Sequence, residues 1–120
     1  MGRYRGLTLR VLGKGAPAMG PGKAELIERI GRTGSISAAA RAMGMSYRRA
    51  WQLVESLNET YREPVVTTAI GGTRGGGAKV TAFGERLVRQ FRAMEEKASK
   101  AIAADVQRFA GHLRKAKKHR

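Results

Sequence analysis

The side chains best suited to chemistry are Ser46, Tyr47, Arg48, Arg49 and Gln52, gathered in the first turns of a predicted helix. Arginine donates bidentately to guanine O6 and N7, and glutamine pairs in the same way with adenine N6 and N7. A helix start adds free backbone N–H groups and a positive dipole end, both suited to phosphate. Arg48 and Gln52 are therefore expected on base edges, and Ser46, Tyr47 and Arg49 on bases or backbone. Trp51, by its size, belongs to packing more than to base contact.

Other chemistry finds little support. There is no cysteine, which removes disulfides, thiolate nucleophiles, thiolate zinc sites and iron–sulfur clusters. His112 and His119 lie in a basic tail with no carboxylate cluster beside them and read as solvated charge. The serines lack a base and an orienting acid, and the acidic residues are scattered over helix surfaces. No catalytic residue, no metal site and no cofactor is expected.

The segment GGTRGGGAK (residues 71–79) lies between two short strand patterns. A nucleotide-binding P-loop needs G-x-x-x-x-G-K-[ST] leading into a helix. Gly72 and Gly77 have that spacing, but Ala78 stands where lysine is required and a strand follows. The segment is expected to be a wing, with Thr73, Arg74 and Lys79 placed against the sugar–phosphate backbone. A plain hairpin tip is the alternative, compatible with a wing.

Charge points the same way. Lys and Arg total 24 against 9 acidic residues, a formal net charge of +15 in 120 residues. Such a chain is drawn to polyanions because each neutralised phosphate releases counterions. Both ends are basic, with Arg3, Arg5, Arg10, Lys14 and Lys23 near one and Arg114, Lys115, Lys117, Lys118 and Arg120 near the other. No amphipathic anchor accompanies either run, so double-stranded DNA is the expected partner and a membrane is not. The apolar run near the start is too short for a signal peptide, and the expected location is cytoplasmic.

These residues need elements to position them. Residues 7–12 alternate as a short strand, and residues 13–22 (GKGAPAMGPG) read as a loop because of their glycines and prolines. A helical period begins at Lys23, with Ala24, Ile27 and Ile30 inward and Glu25, Glu28, Arg29 and Arg32 outward. Gly34 suits the end of that helix and Ser35 or Ser37 the next cap. A short alanine-rich helix over 38–43 ends at Gly44, and Ser46 caps a third running to about Glu59. Ala39, Ala40 and Ala50 permit the close crossing of a helix-turn-helix over 36–57, with Met43, Met45, Leu53, Val54 and Leu57 on its buried side. Strands are expected at 65–70 and 78–81, and Thr81 caps a long helix reaching about Ala110.

On that last helix Phe83, Leu87, Phe91, Met94, Ala98, Ile102, Val106 and Phe109 recur every three or four residues. Such a stripe exceeds what a small domain buries alone. Phe83, Leu87, Phe91, Met94 and Ile102 are therefore expected to pair with a second copy, and Arg92, Lys97 and Lys100 to face solvent. The expected fold is mainly α with a small β-sheet, a winged helix-turn-helix (residues 1–82) with a long C-terminal dimerisation helix (83–111) and a basic tail (112–120).

Residues 34–51 (GSISAAARAMGMSYRRAW), 71–78 (GGTRGGGA) and 81–84 (TAFG) resemble the N-terminal DNA-binding domain of the molybdate-responsive regulator ModE. More distantly the chain is similar to the LysR-type winged helix. The resemblance covers roughly residues 7–110. It implies a winged helix on a dimer joined by the last helix, acting at promoters of molybdate-uptake or molybdoenzyme genes. In that family oxyanion-binding β-domains follow, whereas no strand-rich segment follows residue 110 here, so a reading head without that sensor is expected. Two other functions stay open: a non-specific basic nucleoid or architectural protein, and a sensor holding a small oxyanion at a dimer interface.

Overall fold

A computed structural model describes residues 6–69 and 77–115. Residues 13–22 are not a loop: β1 (Val11–Gly13) pairs antiparallel with β2 (Ala16–Met19), Leu12 opposite Pro17. Lys14 and Gly15 both take positive φ, 47° and 86°, the pair of left-handed residues that a two-residue hairpin turn demands. Pro17 is tolerated because the sheet has only two strands, where a missing N–H need not break a ladder.

Helix α1 (Pro21–Thr33) starts on Pro21, whose fixed φ and absent N–H suit the first helical position. It buries Ala24, Leu26, Ile27 and Ile30, and it ends at Gly34, which takes the left-handed conformation (φ 70°) and donates its N–H to the Ile30 carbonyl. The Ser35 hydroxyl accepts from the Ala38 N–H at 2.9 Å and starts α2 (Ile36–Ala42), so this helix begins earlier than its alanine run implied. Gly44 turns the chain at φ 71°. Ser46 caps α3 (Tyr47–Thr60) through the Arg49 N–H at 3.0 Å.

Strands β3 (Val66–Ala69) and β4 (Gly77–Val80) form the second hairpin, with Val66 opposite Val80 and Thr67 opposite Lys79. The Thr81 hydroxyl then caps α4 (Ala82–Ala101) through the Gly84 N–H at 2.9 Å. The fold is mainly α with two small antiparallel sheets, a winged helix-turn-helix carrying a long helix after the wing.

The core is one cluster shared by all of these elements. Leu26, Ile27, Ile30, Val54, Leu57, Val65 and Val66 are its largest fully buried side chains. Ala39, Ala40 and Ala50 are buried at the crossing of α2 and α3, where a larger side chain would push the helices apart. Gly84 lets α4 meet the wing root. A Cβ there would lie 2.5 Å from the Val65 carbonyl oxygen and 3.0 Å from methyl groups of Val65 and Val80.

Three expectations for the last helix are corrected. The helix is not continuous: Ile102 leaves helical geometry (φ −119°, ψ 21°) and separates α4 from α5 (Ala103–Ala110). Phe91 does not lie on an open face but is 2% exposed inside the chain's own core, with Val88 beside it. Arg92 does not face solvent. It bonds Glu28 of α1 at 3.0 and 3.2 Å and Glu95 at 2.7 Å, tying α4 to α1. Burial works against the Arg92 charge, but the hydrogen bonds to the two carboxylates outweigh it and hold its pKa above the usual guanidinium value. Phe83 and Leu87 are partly buried against the core, while Met94 and Ile102 are exposed, as are Phe109 and Leu113 further along.

Candidate nucleic-acid interface

Helix α3 presents two faces of opposite character. Ala50, Val54 and Leu57, at helical spacing, are sealed into the core. The face turned away carries Arg48, Gln52, Glu55 and Glu59, all exposed. The sign of charge changes along it, basic at the start and acidic toward the end. A polyanion lying along this face is attracted to the first two turns and repelled by the last two. The start of α3, not its whole length, is the end suited to enter a groove.

That end holds every recognition-helix candidate named from the sequence. Arg48, Arg49 and Gln52 project into solvent, and Tyr47 is 56% exposed. The Ser46 hydroxyl accepts the Arg49 N–H as the helix cap and keeps its own O–H to donate. Trp51 is partly buried against the core, and its ring stacks with Tyr47 at a centroid separation of 6.5 Å and an interplanar angle of 14°.

The wing candidates are divided. Lys79 is exposed on β4, opposite Thr67. Thr73 and Arg74 lie outside the described residues.

The residues that aim the wing were not named for that task from the sequence. Asn58, in the last turns of α3, accepts the Val65 N–H at 2.7 Å and the Val66 N–H at 3.1 Å. Its amide donates to the Val66 carbonyl at 2.9 Å. The Ala78 N–H donates to the Gly34 carbonyl at 3.0 Å, joining β4 to the turn between α1 and α2. The Thr81 hydroxyl donates to the Pro64 carbonyl at 2.7 Å and its N–H to the Val65 carbonyl at 3.0 Å. Both strands are thereby fixed to the helix-turn-helix that precedes them. Tyr61 completes the frame, donating its hydroxyl to the Ala18 carbonyl at 2.7 Å and packing edge-on to Phe83.

Among the described residues no group of His, Cys, Asp and Glu could hold a metal ion, and no helix is long and apolar enough to cross a membrane. What is built here is a basic, solvent-facing helix start beside a hairpin, the reading unit of a helix-turn-helix protein. The family model "Bacterial regulatory helix-turn-helix protein, lysR family" matches residues 23–85, and the chain belongs to that family. It is 45% identical over 94 residues to the molybdenum-pterin-binding protein MopB of Rhodobacter capsulatus, covering 78% of this chain and 35% of that protein. It is 33% identical over 103 residues to the molybdenum transport protein ModE of Azotobacter vinelandii, covering 77% and 38% respectively. To the DNA-binding transcriptional dual regulator ModE of Escherichia coli K12 it is 35% identical over 82 residues, covering 68% and 31%. The chain spans about a third of the length of these relatives.

Proposed function

We propose that this chain is a sequence-specific, double-stranded DNA-binding transcription regulator of the ModE/LysR type, acting in the cytoplasm as a homodimer. One observation carries the reading: Arg48 and Gln52 stand exposed at the capped start of α3 while the opposite face of that helix is locked into the core. Arg48 and Gln52 read base edges in the major groove, and Tyr47 and Arg49 contact bases or backbone. Lys79 contacts phosphates from the wing together with Thr73 and Arg74. Pairing through α4 and α5 is supported by the exposure of Met94 and Ile102, 43% and 37%. The likeness to regulators whose names connect them with molybdenum supports a role at promoters of molybdenum-related genes.

The test compares affinity for the promoter fragment beside its own gene with affinity for a random duplex, at two salt concentrations. The promoter is expected to bind more tightly, with a preference that survives the higher salt. Equal affinities would replace this reading with non-specific binding driven by the net charge of +15.

A further inference from the structure

Tyr47 is the most exposed large apolar side chain on α3. A helix anchored in a core usually turns such a ring inward, yet Tyr47 stands at the first position of α3 beside Arg48. Helical side chains lean toward the N-terminus of their helix, so this ring projects over the very end suited to enter a groove. It is also held in place. Trp51, one turn on, is partly buried against the core, and the two rings lie nearly parallel. The result is a flat apolar edge along the basic end of α3.

In the major groove one base carries an apolar mark: thymine, through its 5-methyl group. We propose that Tyr47, positioned by Trp51, is a specificity-determining residue that packs on a thymine 5-methyl group and selects thymine at one position of each half-site. This rests on the reading of α3 as the groove-entering helix. It assigns the ring a task different from those of Arg48 and Gln52. Those residues read hydrogen-bonding groups, whereas Tyr47 reads a methyl.

The experiment uses the full chain. A preferred duplex is selected from a random double-stranded library, and each thymidine in it is then replaced singly by deoxyuridine, which deletes only the methyl. One position per half-site is expected to lose about three- to fivefold in affinity, the worth of one buried methyl group. Tyr47→Phe should keep that deoxyuridine penalty, and Tyr47→Ala should abolish it while retaining the helical spectrum and melting temperature of the parent. If selection enriches a sequence but no deoxyuridine matters, or the penalty persists in Tyr47→Ala, the methyl-reading role is overturned and the groove-entering helix stands. If Tyr47→Phe weakens all duplexes alike and deoxyuridine does not, the hydroxyl is bonding phosphate and the proposal fails. If selection enriches no sequence, base reading by α3 fails and this proposal with it.

Discussion

Asn58 and Val66 are joined by two hydrogen bonds of opposite sense, Val66 N–H to Asn58 Oδ1 at 3.1 Å and Asn58 Nδ2–H to the Val66 carbonyl at 2.9 Å. The same Oδ1 accepts the Val65 N–H at 2.7 Å. One side chain in α3 thus does for the first residues of the wing what a neighbouring strand would do.

Asn58→Ala strands two donors and an acceptor at a buried corner. Each orphaned group costs about 1–3 kcal/mol, with partial relief by water at the edge, so the variant should lose about 2–4 kcal/mol. A denaturant midpoint measures it. Asn58→Asp keeps the double acceptor but turns a carboxylate oxygen toward the Val66 carbonyl in place of the donor, so it should recover only part of the alanine variant's loss.

Arg92 supplies a second measure of how α4 is docked. The side chains of Arg92, Glu28 and Glu95 are 16%, 20% and 18% exposed, so salt screens them far less than a surface pair. Arg92→Met leaves two carboxylates without their shared partner and should cost about 1.5–3 kcal/mol in unfolding free energy. Adding Glu28→Gln to Arg92→Met should recover part of that loss, because it removes one of the two carboxylate charges that Arg92 balanced.

Tyr61 gives a pH signature. Burial holds its phenol above the ordinary value of 10.0, so the unfolded chain loses this proton before the folded one. Its contribution is therefore complete below pH 10 and is lost as pH rises through the higher folded value. Thermal unfolding followed from pH 8 upward should show a fall in stability above pH 10 that Tyr61→Phe makes shallower. The phenylalanine variant also loses the bond to the Ala18 carbonyl, about 0.5–1.5 kcal/mol, at neutral pH.

On DNA, Arg48 and Lys79 should behave differently. Arg48→Ala is expected to cost about 1–3 kcal/mol at the preferred site and to relax one base position. Lys79→Ala should weaken all sequences by a similar factor and lower the salt slope by about one. Parallel titrations of both variants on selected and random duplexes read the two patterns. Equal losses on random DNA would abolish the division of roles.

Much of this architecture was legible before any coordinates. Gly34, Gly44, Ser35, Ser46 and Thr81 punctuate the chain through local chemistry, a left-handed residue or a hydroxyl facing a free N–H, and local chemistry is what a sequence displays. The small residues at the α2–α3 crossing are legible for a similar reason. Other features depend on partners distant along the chain. Nothing near Arg92 announces Glu28, 64 residues away, and Asn58 looks like any polar residue late in a helix. Pro17 misled in the opposite direction, since a breaker in a longer sheet is harmless in a two-stranded one. The apolar stripe of the last helix named Phe91 correctly as buried-type, but not the surface against which it is buried. No proline or glycine marks the break at Ile102, and nothing in the structure explains it.

The bonds from Gly34 to Ala78 and from Asn58 to β3 have a mechanical consequence. They leave little play between the base of the wing and the start of α3, so the gap between them acts as a fixed-span calliper. On the proposed DNA-binding reading, a duplex whose groove dimensions match that span would be gripped without distortion, whereas one that does not would bend or narrow to fit at its own elastic cost. Base pairs that no side chain touches would then be graded by stiffness, through a length that these two anchors hold constant.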